Sequence, residues 1–184
     1  MSAQPPVCDF GWQAAAFSLP ATDGKTYSLA ELSGEKGLVL MFICNHCPYV
    51  VAIADKLARE GAALQKLGFG VAAICANDAT EYPADNFENM SIFATKNGFR
   101  FPYLHDESQS VAKAYGAECT PEFFGFNGDL TLQYHGRLDA SGRSASPEGE
   151  PRELYEAMRV VAETGAGPAV QVASIGCSIK WKTA

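Results

Sequence analysis

The chain has 184 residues, of which 47% are hydrophobic and 11% aromatic, and this supply of apolar side chains is sufficient for one buried core. We therefore expect a single domain over residues 1–184. The net charge of −7 at pH 7 argues against binding to the phosphate backbone of a nucleic acid.

The N-terminal residues do not resemble a secretion signal. Residues 1–9 lack both the basic region and the apolar region of a signal peptide. The longest apolar run, residues 37–43, is too short to cross a bilayer. We therefore expect a cytoplasmic protein that binds no membrane. In that reducing compartment, the six cysteines are expected to be reactive or metal-bound rather than to form a structural disulfide framework.

The first half of the chain predicts strands and helices in alternation. Residues 17–29 predict a β-hairpin with a turn at Asp23-Gly24. Residues 38–43 are an unbroken apolar run, which is typical of a strand covered on both faces. Apolar residues at helical spacing over residues 50–67 predict one amphipathic helix, and residues 69–75 predict a second buried strand. A strand, a helix and a strand in this order form a crossover unit with parallel strands.

The second half predicts two helices, a hairpin and a last helix. The segment Asp85-Asn86-Phe87-Glu88 resembles a capping box and predicts a helix that ends at Gly98. Residues 108–116 predict a shorter helix. Residues 122–126 and 130–135, joined by Asn127-Gly128, predict an antiparallel hairpin, and residues 151–164 predict the last helix. The fold class is therefore α/β, with a central mixed sheet flanked by helices.

The strongest chemical signal is Cys44-Asn45-His46-Cys47, which falls where the first buried strand ends and the first helix begins. At a helix N-terminus, free backbone N–H groups and the positive end of the helix dipole stabilise an anion, so a cysteine there loses its proton more easily. We therefore predict that Cys44 is the nucleophile. The two-residue spacer places Cys47 close enough to be the resolving thiol.

His46 is the third predicted catalytic residue. It can donate a hydrogen bond, or a positive charge when protonated, to the Cys44 sulfur, and either would lower the pKa of that thiol. An exposed spacer histidine without this function is the alternative. Half of a zinc site is a further alternative, but the other cysteines are scattered singly and form no pair with His105 or His135. We therefore expect no metal.

A family resemblance follows from the order of these features. A strand, Cys-x-x-Cys, a helix, a strand and a later Thr-Pro before an antiparallel hairpin resemble the thioredoxin superfamily, and the leading hairpin is similar to its redoxin branch. Four segments resemble bacterial proteins of the thioredoxin-family or AhpC/TSA-like kind: residues 42–49, 77–78, 119–121 and 136–139. The resemblance covers nearly the whole chain and implies a thioredoxin-like fold with an N-terminal β-hairpin.

The resemblance also implies site residues. Pro121 should follow a cis peptide bond and face the cysteine pair, and the backbone of Thr120 should be available to pair with an extended substrate. The sequence departs from the family pattern at two places that bear on its activity. Leu38 stands where thioredoxin has a buried aspartate that relays protons, and residues 41–43 replace the threonine-containing loop of typical peroxiredoxins. Dithiol exchange is therefore predicted ahead of peroxide reduction.

Two further cysteines are candidates for auxiliary thiols. Cys119 lies two residues before Pro121, and a packing role is its alternative. Cys177 belongs to a C-terminal segment that is too apolar for a free tail, so we expect this segment to dock on the domain. A docked segment would allow Cys177 to act as a second resolving thiol, with simple packing as its alternative.

The sequence thus predicts a thiol-disulfide oxidoreductase that needs no metal, flavin or nicotinamide cofactor. Its partners are expected to be protein or small-molecule thiols and disulfides. The alternatives are a peroxiredoxin-like thiol peroxidase acting on peroxides, a zinc-binding module, and a non-catalytic domain that keeps only the fold.

Overall fold

A computed structural model describes residues 2–3 and 10–183 of the chain. Its strands are β1 (Ser2–Ala3), β2 (Ser18–Pro20), β3 (Thr26–Ser28), β4 (Gly37–Phe42), β5 (Phe69–Cys75), β6 (Tyr103–His105), β7 (Cys119–Thr120), β8 (Glu122–Phe126), β9 (Leu132–Gly136) and β10 (Gly176–Ser178). Its helices are α1 (Leu29–Leu32), α2 (Pro48–Val51), α3 (Ala54–Lys66), α4 (Phe87–Lys96), α5 (Ser110–Tyr115) and α6 (Glu153–Thr164). No helix of these described residues is long and apolar enough to cross a membrane.

The centre of the fold is a five-stranded sheet in the order β6-β5-β4-β8-β9. Strands β4, β5 and β6 are parallel, whereas β8 is antiparallel to β4 and β9 is antiparallel to β8. The sheet is therefore mixed, as the sequence predicts. The predicted N-terminal hairpin is also confirmed, since β2 and β3 pair in antiparallel register.

Strand β4 lies in the middle of this sheet, and both of its faces are covered. Val39 and Met41 pack in one hydrophobic cluster with side chains from α3 and α6. Leu38 and Leu40 point to the opposite face and pack in a second cluster with α1 and α5. Because neighbouring residues of a strand face opposite sides, a strand covered on both sides is apolar throughout. This arrangement explains the unbroken apolar run of β4.

The predicted helix over residues 50–67 is divided into two. Helix α2 begins at Pro48, with Cys47 as its N-cap, and ends at Val51. Ile53 has φ −116° and ψ 10°, which is outside the helical region, and α3 begins after it. The side chain of Ile53 is nevertheless buried, so the apolar spacing continues through the break. Spacing alone therefore predicts one helix where the backbone forms two.

The predicted capping box before α4 is wrong in one respect. The N-cap is Asn86, whose side-chain oxygen accepts a hydrogen bond from the backbone N–H of Asn89 at 2.8 Å. Glu88 is therefore not the third helical residue that a capping box requires. Asp85 ends a short 3₁₀ helix that begins at Pro83, and its side chain is fully buried. This aspartate is consequently available for a different function.

The C-terminal segment docks on the domain, as predicted. Strand β10 lies between β1 and β7 in a separate three-stranded antiparallel sheet. Further along the chain, the backbone N–H of Ile179 donates to the carbonyl oxygen of Glu118 at 2.9 Å. These contacts place β10 beside the loop that follows β4, the middle strand of the five-stranded sheet.

Candidate active site

The two cysteines of the motif are buried side by side at the carboxyl end of β4. Cys44 is 1% exposed and Cys47 is 0% exposed, and both are free thiols. Thr120 on β7 contacts both of them. Its side-chain oxygen lies 3.4 Å from the Cys44 sulfur, and its carbonyl oxygen accepts a hydrogen bond from the Cys47 thiol at 3.1 Å. The structure therefore brings Cys44, Cys47 and Thr120 into one cluster.

Several neighbours of Cys47 favour its ionised form, whereas the Thr120 carbonyl oxygen, which accepts from its thiol, opposes it. The pKa of Cys47 is lowered mainly because the Cys44 thiol can donate a hydrogen bond to it, and this effect outweighs burial, which raises the pKa. Cys177 lowers it further, as does the backbone at Val50, whose N–H donates to the carbonyl oxygen of Cys47 at 3.0 Å. As the N-cap of α2, Cys47 also lies at the positive end of that helix.

The predicted lowering of the Cys44 pKa is wrong. The pKa of Cys44 is raised well above the usual cysteine value, first because ionised Cys47 holds the Cys44 thiol as a hydrogen-bond donor, then by burial, and then by the negative charge of Asp85. The physical reason is position. Cys47, and not Cys44, is the residue at the N-cap of α2. The thiolate of the pair is therefore favoured on Cys47.

His46 contacts a carboxylate rather than a sulfur. Its Nδ1 lies 2.7 Å from Asp85 Oδ2, and its ring stacks on Tyr82 with 5.8 Å between the ring centroids. The hydrogen bonds of the described residues include none between His46 and either sulfur of the pair. The His46 side chain is 33% exposed, whereas Asp85 is fully buried. His46 thus links a buried carboxylate to the surface.

Asp85 is a residue that the sequence interpretation assigned to a helix cap instead of to the site. Its Oδ1 accepts a hydrogen bond from the backbone N–H of Asn45 at 2.8 Å, and its Oδ2 accepts one from Asn77 Nδ2 at 2.8 Å. Tyr103 donates its hydroxyl to the side-chain oxygen of Asn45 at 2.9 Å. The sequence contained one signal for this. Asp85 and Asn86 are adjacent, and because only one of them can be the N-cap of α4, the other is available for a different contact. The sequence contains no signal that Asp85 lies beside Cys44.

A metal-binding alternative can be compared with this geometry. The donor atoms of Cys44, His46 and Asp85 lie within 4.8 Å of one another. Two amide groups and the imidazole already contact the Asp85 carboxylate, so a metal ion would have to replace the contact between His46 and Asp85. The described residues therefore offer three possible metal ligands, but hydrogen bonds already occupy the Asp85 carboxylate, which is one of the three.

The peptide bond between Thr120 and Pro121 is cis, as the resemblance implies. Pro121 lines a groove on the protein surface together with Tyr49, Leu138 and Ile175. The volume of this groove is about 10 Å³, which is the space of about one water molecule.

The backbone of Thr120 is not open to an extended substrate, which corrects the expectation drawn from the resemblance. Strand β10 pairs with β7 in antiparallel register, with Cys177 opposite Thr120 and Ser178 opposite Cys119. The physical reason is that an exposed strand edge pairs readily with any available strand, and the chain's own C-terminal segment supplies one. The edge of β7 beside the cysteine pair is therefore already occupied.

The structure places the two candidate auxiliary thiols in different surroundings. Cys177 is partly exposed, and its pKa is raised to about 11, first by burial and then by the neighbouring Cys47. Cys119 is fully buried, and its sulfur contacts the carbonyl oxygen of Pro121 at 3.8 Å. Because neighbouring residues of a strand face opposite sides, Cys119 points away from the cysteine pair when Thr120 faces it. Only Cys177 is brought to the pair.

Comparison with known proteins gives one family match and several structural matches. A model of the AhpC/TSA family matches residues 10–135 of this chain. The peroxiredoxin Bcp of Escherichia coli (strain K12) is 29% identical over 130 residues, which cover 71% of this chain and 78% of that protein.

Two solved structures illustrate the range of the structural matches. An uncharacterized conserved protein from Geobacillus kaustophilus is similar with a TM-score of 0.93 and 39% identity, and the match covers 100% of this chain and 98% of that one. The thioredoxin domain of a thiol-disulfide oxidoreductase from Bacteroides vulgatus is similar with a TM-score of 0.64 and 13% identity, over 84% of this chain and 99% of that one. The second similarity shows the fold alone, and it confirms the predicted thioredoxin-like fold.

Proposed function

The chain belongs to the AhpC/TSA family, in the redoxin branch of the thioredoxin superfamily, and on that premise we propose that Cys44 and Cys47 form a dithiol–disulfide redox couple. Family and fold together indicate an oxidoreductase that acts on thiols, disulfides or peroxides. The finer assignment depends on the cysteine pair. The observation that carries it is that two buried thiols contact the same threonine at the start of a helix.

In this proposal Cys47 is the nucleophile, which reverses the roles expected from the sequence. The position of Cys47 directly before α2 and its lowered pKa, caused first by the Cys44 thiol and then by Cys177, support an ionised Cys47. This thiolate attacks a disulfide substrate and forms a mixed disulfide with one half of it. Cys44 then attacks the Cys47 sulfur, the second half of the substrate leaves as a thiol, and a Cys44–Cys47 disulfide remains.

Cys44 has to lose its proton for the second step, and the neighbouring groups supply a route for that proton. Its raised pKa keeps Cys44 protonated until the mixed disulfide has formed. Asp85 lies beside Cys44, and it contacts His46, whose ring reaches the surface. We assign to Asp85 and His46 the transfer of the Cys44 proton to solvent. His46 is thus a positioning and proton-transfer residue in this proposal rather than a donor to the sulfur.

Peroxide reduction is the second candidate. In that reaction Cys47 would be oxidised to the sulfenic acid and would then condense with a second thiol, with release of water. Two observations favour it: the named relative is a peroxiredoxin, and the strand edge beside the thiols is occupied by β10. An occupied edge admits a small oxidant more readily than an extended polypeptide.

The decisive experiment is to compare Cys44→Ser with Cys47→Ser. In a Cys177→Ser background, we expect Cys44→Ser to accumulate mixed disulfides with a disulfide substrate such as oxidised glutathione, because the first attack remains and neither Cys44 nor Cys177 can release the product. Cys47→Ser should form none at this site. Cys75→Ser is the matched control, since Cys75 is fully buried in β5 and its pKa is raised to about 12 by burial.

Three readouts would contradict or redirect the proposal. Mixed disulfides on Cys47→Ser, with none on Cys44→Ser, would restore the roles expected from the sequence. A wild-type protein that consumes hydrogen peroxide rapidly but exchanges slowly with oxidised glutathione would make the peroxidase the main activity. A stoichiometric metal in the purified protein would instead favour the zinc-binding alternative.

We propose that Thr120 and Pro121 bind the substrate of the Cys44–Cys47 couple. Thr120 contacts both sulfurs, and Pro121 lines the adjacent groove.

A cytoplasmic location remains a prediction from the sequence, and cell fractionation would test it.

A further inference from the structure

The C-terminal strand lies where an extended substrate would bind in the proposed reaction. Strand β10 pairs antiparallel with β7, directly before Pro121, and Cys177 is opposite Thr120 in the register. Residues that are opposite each other in an antiparallel pair point to the same face of the sheet. Since Thr120 faces the two thiols, Cys177 faces them as well. The chain thus presents one of its own cysteines in the manner of a substrate.

Cys177 differs from the buried pair in its exposure. Cys44 and Cys47 are 1% and 0% exposed, so a large reductant has no direct access to either sulfur. Cys177 is partly exposed, and it packs against the hydrophobic cluster that contains Cys44 and Cys47. Among the cysteines that the structure describes, Cys177 therefore joins the buried pair to the surface.

Hydrogen bonds hold the C-terminal segment in place on both sides of Cys177. Before it, the hydroxyl of Ser174 donates to the carbonyl oxygen of Gly136 at 2.6 Å. After it, the backbone N–H of Lys180 donates to the side-chain oxygen of Asn77 at 2.9 Å, and the Lys180 carbonyl accepts a hydrogen bond from the backbone N–H of Asp78 at 2.8 Å. Asn77 also contacts Asp85. The position of Cys177 is thus held by the same network that surrounds the cysteine pair.

We propose that Cys177 is a third redox-active thiol, through which electrons from an external dithiol reach the buried disulfide. This inference depends on the proposed redox couple and adds the route by which it is reduced. The tethered strand replaces an extended polypeptide as the partner of β7. A reductant then has to reach only the partly exposed sulfur of Cys177.

The steps balance as ordinary thiol-disulfide exchange. Cys177 loses its proton and attacks the Cys47 sulfur of the Cys44–Cys47 disulfide, so a Cys47–Cys177 bond forms and Cys44 leaves and takes up a proton. The first thiol of the external dithiol loses its proton and attacks the Cys177 sulfur, and Cys47 leaves as the thiolate. The second thiol then breaks the mixed disulfide, and Cys177 leaves and takes up a proton. The external dithiol has been oxidised, and the Cys44–Cys47 disulfide has been reduced.

The first test uses the Cys44→Ser protein, which cannot form the Cys44–Cys47 disulfide. Oxidised with glutathione disulfide and quenched with acid, this protein should contain a Cys47–Cys177 disulfide in peptide mapping, and both sulfurs should resist alkylation. Cys177 that remains open to alkylation, with glutathione retained on Cys47, would overturn the proposal. This readout is separate from the proposed function, which fails only if the wild-type protein forms no Cys44–Cys47 disulfide.

The second test measures the reduction of the oxidised protein by dithiothreitol under stopped-flow conditions. Cys177→Ser should slow this reduction by roughly tenfold or more, because the exposed entry sulfur is lost. Ser178→Ala, a change in the same strand, is the matched control and should be reduced at the wild-type rate. Cys177→Ala is a second variant in case the serine disturbs folding. Reduction of both Cys177 variants at the wild-type rate would show that Cys177 only packs against the pair.

Discussion

At the scale of single residues, the site is defined by an asymmetry between two cysteines of similar burial. Cys47 is the N-cap residue of α2 and its pKa is lowered, first by the Cys44 thiol, whereas Cys44 lies beside a buried carboxylate. Opposite electrostatic surroundings move the two pKa values apart, and groups with separated pKa values can take separate roles in one reaction. Asp85 therefore matters for the reaction although it is remote from the motif in sequence.

The effect of Asp85 can be measured on Cys44 alone. In a Cys47→Ser background, Asp85→Asn should lower the pKa of Cys44, because the negative charge that opposes ionisation of this thiol is removed. Thiolate absorbance in a pH titration measures this pKa directly. Asp78→Asn is the matched control, since Asp78 is also buried but accepts a hydrogen bond from the backbone N–H of Thr80. An unchanged or raised pKa in the Asp85 variant would contradict this account.

At the scale of elements, the C-terminal strand changes what the neighbouring strand can bind. Strand β7 has only two residues, and β10 occupies its edge. The close approach requires a glycine, since a Cβ atom on Gly176 would overlap the carbonyl oxygen of Thr120. The break between α2 and α3 also belongs to this scale, because the short helix that begins directly after Cys47 ends at Val51.

Gly176→Ala tests the docking of this strand. The added methyl group should force β10 away from β7 and lower the free energy of unfolding by about 1–3 kcal/mol, the usual cost of overpacking. Chemical denaturation measures the change, and alkylation should find Cys177 more reactive. Gly142→Ala is the control, since nothing lies within 4 Å of a Cβ atom there. A variant with wild-type stability and wild-type alkylation would show that the strand tolerates the methyl group.

At the scale of the whole molecule, the lowered Cys47 pKa links redox chemistry to stability. In the unfolded chain a cysteine keeps its proton up to about pH 8.5, whereas folded Cys47 loses it at a lower pH. Between these two pKa values the unfolded state binds more protons, so the reduced protein becomes more stable as pH rises. This stabilisation is complete at the unfolded pKa and is lost as pH falls through the folded pKa.

Unfolding in denaturant, with a reducing agent present, checks this dependence over a series of pH values up to about 8.5. The free energy of unfolding of the wild type should rise with pH by at most about 1.4 kcal/mol per pH unit relative to Cys47→Ser. Cys75→Ser should follow the wild type, because burial raises the pKa of Cys75 and keeps this thiol protonated in the same range. Parallel curves for the wild type and Cys47→Ser would mean that the folded pKa of Cys47 is not lowered.

The sequence by itself determined the features that depend on neighbouring residues. Strands β6, β7 and β10 were not predicted, whereas the apolar run of β4, the hairpin of β2 and β3 and the order of β4, a helix and β5 are local patterns that the structure confirms. The position of the motif at the junction of a strand and a helix also follows from this order. The docking of an apolar C-terminal segment follows from the cost of leaving it in water.

Only the tertiary structure decided which residues surround the thiols. Asp85 reaches Cys44, and Cys177 reaches Cys47, across about 40 and 130 positions of the chain respectively, and no periodic pattern encodes contacts of that separation. The choice of Cys47 over Cys44 as the thiolate depends on which residue is the N-cap of α2, a boundary that apolar spacing does not fix. Residue types thus predicted a redox pair, and the packing of distant segments decided which side chains surround it.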